Sequence, residues 1–236
     1  MQKSKTYKML IFLDTETTGL EKSDKIISIA LVAVEDNEIT IKNDLVNEGK
    51  KIPPKASSIN HITNEMIKDK PSLRESDTFK FLELNNIYDN TLVSHNANFD
   101  LDMLNSNIGF SWQGKIIDTL RVSKHLMPEC EEFSLQFLRY ELKLYKQEKE
   151  KITPHEALSD AKTTKALYEA LLELAPKEKL EDLSTKNVLM QKFEFGKYAG
   201  RYIEEISMID RGYLEWMLNN IMDIDEDLRY SIEYYL

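Results

Sequence analysis

An α/β fold built on a sheet of mixed strand direction, with a small C-terminal region appended, is what this sequence predicts, and three observations carry it. Apolar runs at residues 8–14, 25–34 and 37–46 are rich in Ile, Leu and Val and are separated by short turns, which reads as an antiparallel meander of three strands. Strand-like and helix-like segments then alternate, the pattern of an α/β sheet. A chain of 236 residues, 42% hydrophobic and 31% charged, can bury one full core and a small second one.

The first strand leads into the stretch I-F-L-D-T-E-T-T-G-L at residues 11–20. Successive strand side chains point to opposite faces, so Asp14 and Glu16 share one face while Thr15 takes the other. Adjacent carboxylates repel, and neutralising them requires protons or a cation. In the second run, Ile26, Ile27, Ile29, Leu31 and Val32 read as buried on both sides. Pro53 and Pro54 break the strand pattern, so a loop is expected to run from residue 56 to a helix start capped by Thr63, with a further helix over about 73–87.

Residues 91–94 read as a short buried strand leading through His95, Asn96 and Asn98 into a helix that carries Phe99, Leu101, Leu104 and Ile108. Asp100 opens that helix on its apolar side, whereas Asp102 is rotated to the opposite face. Residues 115–118 form another strand, 119–127 and 134–143 two helices, and 148–151 a solvated charge run. Asp118 reads as a strand-end or helix-cap carboxylate. Thr153 as N-cap, Pro154 at the first helical position and Glu156 as a capping box start a helix that runs to about residue 174, with Asp160 inside its apolar stripe. A lone Asp there is costly unless paired or metal-bound.

Pro176 and the charges after it mark a boundary between a domain over residues 1–175 and a C-terminal region over 176–236. In the latter, Phe193, Phe195, Gly196, Lys197, Tyr198, Gly200 and Arg201 read as a tight hairpin, followed by an amphipathic helix over 213–221. Phe193, Phe195 and Trp216 are its expected docking face.

Composition narrows the function. The single cysteine, Cys130, excludes an internal disulfide and points to a reducing, cytoplasmic setting. Lys3, Lys5 and Lys8 precede an apolar run that Asp14 ends too early for a signal peptide, and no stretch is long enough to span a membrane. The net charge of −10 argues against a protein that coats nucleic acid through counterion release. An enzyme that acts on nucleic-acid ends through bound metals remains compatible, with weak and brief contact expected.

Asp14, Glu16, Asp100 and Asp160 all stand on element edges where packing does not explain a carboxylate. Oxygen-only ligands suit Mg²⁺ or Mn²⁺, and two such ions about 3.5–4 Å apart can stabilise both oxygens of a phosphoryl displacement. A base for the attacking water is also needed. The pattern His-x-Ala-x-x-Asp occurs at His95, Ala97, Asp100 and again at His155, Ala157, Asp160. Spacing does not choose between them, but His95 at the end of a buried strand suits a structural imidazole and His155 at a loop junction suits a mobile base.

The segments F-L-D-T-E-T-T-G-L, S-H-N-A-N-F-D and H-E-A-L-S-D-A resemble the three motifs of the DEDDh family, the DnaQ-like 3′ to 5′ exonucleases. The resemblance implies a ribonuclease H-like fold, Asp14, Glu16, Asp100 and Asp160 as ligands of two Mg²⁺ or Mn²⁺ ions, and His155 as general base. It further implies that Thr17 and Thr18 lie near the terminal 3′ hydroxyl and that Leu20 wedges against the last bases. Segments at 62–71, 195–201, 211–220 and the C-terminus extend the likeness, through a bacterial DNA-repair branch, to nearly the full length. Asn60 departs from it, standing where the family usually has His, with His61 one residue late. The expected activity is metal-dependent release of 5′-mononucleotides from DNA 3′ ends. The alternatives are a 3′ to 5′ RNA exonuclease and a catalytically idle, end-binding accessory module.

Overall fold

The computed structural model describes residues 8–36, 38–148 and 152–236. Lys3, Lys5, Asn37 and most of the charge run expected at 148–151 lie outside them. Strands β1 (Leu10–Thr17), β2 (Ile26–Glu35) and β3 (Glu38–Leu45) form the antiparallel meander. β4 (Thr91–Ser94) and β5 (Lys115–Asp118) extend it in parallel from the other side of β1. Among the described residues this is one five-stranded mixed sheet in the order β3-β2-β1-β4-β5.

Helices α1 (Pro54–Asn60), α2 (Asn64–Ile67) and α3 (Asp77–Leu84) follow the meander, and α4 (Ala97–Ile108) connects β4 to β5. α5 (Thr119–Leu126), α6 (Leu135–Glu141), α7 (Ala157–Leu174) and α8 (Lys177–Leu183) come after β5. The alternation of β1 divides the molecule into layers. Ile11 and Leu13 enter the large core with Phe79 and Leu82 of α3 and Met103 and Leu104 of α4. Phe12 points the other way and meets Tyr168 of α7 edge to face, with ring centroids 5.4 Å apart. The even-numbered side chains of β1, Asp14 and Glu16 among them, therefore share the α7 face.

Several local expectations are corrected. β1 does not end at its carboxylates: Asp14 pairs with Ala30 and Glu16 with Ser28, and a register shift comes only between Glu16 and Thr17. The segment expected as a loop after Pro54 forms α1, because a proline in the first turn loses no hydrogen bond there and pre-sets φ. The helix expected over 73–87 is a 3-10 turn (Leu73–Glu75) followed by α3, with the Ser76 hydroxyl between them accepting from the Phe79 N–H at 3.2 Å. α7 begins at Ala157, not after Thr153. His155 has φ 58°, a left-handed conformation that a helix cannot include, and the Thr153 N–H donates instead to Ser159 Oγ at 3.3 Å.

The chain divides into two compact units, one comprising residues up to 122 with 131–184 and the other 123–130 with 185–236. α8, which follows the boundary expected at 175, belongs to the first: Lys177 donates to Thr91 of β4 at 2.9 Å and Glu181 pairs with Lys115 of β5. In the second unit α9 (Ile203–Ile209), α10 (Arg211–Asn220) and α11 (Glu226–Tyr235) bury Phe193, Ile203, Ile206, Leu214, Met217, Leu228 and Ile232. Of the expected hairpin, one antiparallel bridge, Lys192 to Tyr202, closes a loop turned by Gly196 and Gly200. Phe193 is core, but Phe195 and Trp216 are 53% and 52% exposed, so only one of the three aromatics docks. Lys197 is paired with Asp210 at 2.9 Å and Arg201 with Glu205. No helix among the described residues is long and apolar enough to cross a membrane.

Gly114 opens β5 where a Cβ would fall on the backbone carbonyls of Asn90 and Ile87, which cannot yield as a flexible side chain can. Gly114→Ala is expected to lower the unfolding free energy by ~1–3 kcal/mol in urea titrations. Gly212→Ala, which meets nothing within 4 Å on α10, is expected to raise it by up to ~1 kcal/mol.

Candidate metal centre

Asp14 and Glu16 reach the α7 face from β1, and α7 presents Asp160 to them from its first turn. One oxygen from each of Asp14, Glu16 and Asp160 lies within 4.8 Å of the others. The β alternation and the helix start thus bring three of the four expected carboxylates into one cluster. Asp100 arrives from α4, on the opposite layer, and the hydroxyls of Thr15, at 2.7 Å, and Ser94 donate to its two oxygens. It stands outside the three-residue cluster, yet close enough for its charge to act on Asp14 and Glu16.

The electrostatics record that crowding. Burial first, then the charges of Asp100, Asp160 and Glu16, hold the Asp14 carboxyl well above the usual carboxylate range. Burial and the charges of Asp160 and Asp100 push Glu16 up to about 8. Asp100 is raised to about 6, with burial dominating over the hydrogen bonds from Ser94 and Thr15 that favour its charged form. Burial also raises Asp160, opposed by the His155 N–H, the Gln136 amide and the charges of His155 and Arg139. An all-oxygen set of carboxylates short of positive charge fits a divalent cation of the Mg²⁺ or Mn²⁺ type.

The two histidines part company here. His95 bonds Thr119 Oγ1 at 3.0 Å through one ring nitrogen and the Phe133 carbonyl at 2.9 Å through the other, and burial pulls it down to about 4. It is a neutral, fully engaged structural imidazole. His155 is exposed on its left-handed turn, and its backbone N–H donates to Asp160 Oδ2 at 3.0 Å.

The loop after β1 is closed by Asp24. Its carboxylate accepts from Thr18 Oγ1 at 2.7 Å, the Glu21 N–H at 2.9 Å and Lys50 Nζ at 2.8 Å. A Cβ at Gly19 would collide with that carboxylate, so the close approach that requires glycine is to Asp24. The Thr17 hydroxyl donates to the Gly19 carbonyl at 2.6 Å, so both threonine hydroxyls are turned into the loop. Leu20 is 83% exposed and is therefore not core. Asn60 donates to the Thr17 carbonyl at 3.3 Å, whereas His61 is exposed at the left-handed end of α1.

Three further residues support the site, one of them expected as a cap and two with no sign in the sequence. Asp118 accepts the N–H groups of Asn96, Ala97, Leu120 and Arg121, so it caps the starts of α4 and α5 together. Ser94 holds Asp100, and Gln136 donates to Asp160 Oδ1 at 2.9 Å. Of these, the Asp before Thr119 carried a capping signal; Ser94 and Gln136 carried none.

A family model described as Exonuclease matches residues 11–168, and one described as Exodeoxyribonuclease X-like C-terminal matches residues 193–222. Exodeoxyribonuclease 10 of Escherichia coli (strain K12) is 32% identical over 231 residues, 97% of this chain and 99% of that protein. DNA polymerase III subunit epsilon of Treponema pallidum (strain Nichols) is 36% identical over 49% of this chain and 55% of its own length. The solved structure of exonuclease X in complex with 5′-overhanging duplex DNA superposes with a TM-score of 0.61 at 30% identity, covering 74% of this chain and 99% of that one. E. coli exonuclease I bound to an oligonucleotide, at 17% identity over 74% of this chain and 42% of its own, shares the fold with a TM-score of 0.56.

Raised carboxyl values make a signed prediction for the protein in chelator. The folded state holds a proton on Glu16 that the unfolded chain releases at its ordinary value, so this contribution to stability is full below about pH 4.5 and is lost as pH rises to about 8. Glu16→Gln removes the titration. The melting temperature of the variant relative to the unsubstituted protein is expected to rise steadily from pH 5 to pH 8, and a difference independent of pH would contradict the shift.

Proposed function

The chain belongs to the exonuclease family, and on that premise we propose that it is a metal-dependent 3′ to 5′ exodeoxyribonuclease that releases 5′-mononucleotides from DNA ends and serves in DNA repair. The observation that carries the reading is the cluster of Asp14, Glu16 and Asp160, with exposed His155 joined to it through the Asp160 carboxylate. The relatives named exodeoxyribonuclease and exonuclease X, the latter solved with duplex DNA, support DNA as the substrate.

In this reading Asp14, Glu16, Asp100 and Asp160 hold two Mg²⁺ or Mn²⁺ ions. Such ions, when bound, supply positive charge to the attacking and leaving oxygens of a phosphoryl displacement. His155 takes the proton from the attacking water. Its exposed ring is free of the engagements that occupy both nitrogens of His95, and its left-handed turn keeps it at the mouth of the helix that carries Asp160. Thr17 and Thr18 contribute through the loop they brace: their hydroxyls are directed inward, to the Gly19 carbonyl and the Asp24 carboxylate, and hold the segment from which Leu20 projects. Leu20, a large apolar side chain almost fully in water beside that loop, is the wedge against the last base. An idle end-binding module has no use for this set of carboxylates and histidine.

The test is release of mononucleotides from end-labelled DNA and from a matched RNA oligomer, with and without EDTA. DNA degraded from its 3′ end and protected by EDTA is the expected result; equal digestion of RNA, or digestion in EDTA, would contradict it. His155→Asn keeps a residue that tolerates the left-handed backbone better than Ala does, and is expected to cut kcat by roughly 10²–10⁴ with cation binding retained. His95→Ala is expected to act through a lowered melting temperature.

A further inference from the structure

Gln136 and Arg139 lie one turn apart on α6 and face the same way. Arg139 is only 7% exposed and forms a two-pronged ion pair with Glu148, Nε to Oε1 at 2.5 Å and Nη2 to Oε2 at 2.7 Å. That pair already satisfies the buried charge. The remaining prong, Nη1, donates to Gln136 Oε1 at 3.3 Å. A guanidinium has no acceptor, so the oxygen of the Gln136 amide must face Arg139 and its nitrogen must face away. Facing away, that nitrogen meets Asp160 Oδ1 at 2.9 Å. The other oxygen of Asp160 receives the His155 N–H at 3.0 Å.

Two donors from different elements therefore fix the rotation of one carboxylate. An ionised carboxylate has about four acceptor sites, so two donors leave room for a cation. Resting on the reading of this cluster as a cation site, we propose that Gln136, with its amide oriented by the Arg139–Glu148 pair, is the positioning residue for Asp160 and sets how tightly the site holds a divalent cation. The buried arginine is neutralised without Gln136, and the fully buried apolar residue of α6 is Leu138.

The experiment is binding of Mn²⁺ to the full chain, by calorimetry or by electron paramagnetic resonance, in the unsubstituted protein and in Gln136→Leu, alongside melting temperatures and nuclease titrations in Mn²⁺. Supporting carboxylate ligands through hydrogen bonds is typically worth ~10–100-fold in metal affinity, and a loss in that range is expected for Gln136→Leu. The Mn²⁺ concentration for half-maximal nuclease activity should rise in step, with turnover approaching that of the unsubstituted protein at saturation. If the unsubstituted protein binds Mn²⁺ and Gln136→Leu binds it equally well, the positioning role is overturned and the cation site stands. If the unsubstituted protein binds none, the reading of the cluster itself fails. Should Gln136→Leu not fold, Arg139→Lys keeps the charge opposite Glu148 but loses the fork that orients the amide: weakened Mn²⁺ binding supports the proposal, and unchanged binding overturns it.

Discussion

Mutual repulsion among carboxylates withdrawn from water is the constraint around which the rest of this structure is arranged. Asp14, Glu16 and Asp160 place oxygens within 4.8 Å of one another, with Asp100 adding its charge. Burial and like charge both oppose ionisation, and they hold Asp14 and Glu16 above their ordinary values. Packing has no use for such a group, and its cost in stability makes sense as the counterpart of affinity for a cation.

The fold tolerates the cluster by supplying hydrogen-bond donors to the carboxylates that come from helices. Asp100 takes hydroxyls from Thr15 and Ser94, one on each of two adjacent parallel strands. Asp160 takes a backbone N–H from the His155 turn and an amide from Gln136. Asp118, close to Asp100, is satisfied by four N–H groups and locks the starts of α4 and α5 against the end of β5. Asp14 and Glu16 remain the groups most raised above their ordinary values.

The loop after β1 shows how easily a correct residue invites a wrong cause. Gly19 is required by a close approach, but the approaching group is the Asp24 carboxylate that ties Thr18, Glu21 and Lys50 together. With the threonine hydroxyls used to brace the loop, Leu20 is left as a large apolar side chain in water. A similar distinction separates the two His-x-Ala-x-x-Asp segments: the same spacing places His95 in a closed pocket between Thr119 and Phe133 and His155 on an open turn.

The sequence by itself determined the mixed sheet and its meander, the facing of Asp14 with Glu16, the burial of Asp100 and Asp160 on helix faces, and the exonuclease family. These follow from periods of two and 3.6 residues and from short motifs, which are local properties of a chain. Tertiary structure alone decided which carboxylates meet: α7 delivers Asp160 to the face of Asp14 and Glu16, while α4 brings Asp100 from the other side of the sheet. The start of α7 is set locally, yet not by the capping pattern at Thr153 and Glu156: the Asp160 carboxylate, five residues on, accepts the His155 N–H at 3.0 Å, and His155 stands at φ 58°. Tertiary structure decided the role of Gln136 as well, because its hydrogen bond to Asp160 joins segments distant in the chain and leaves no periodicity behind.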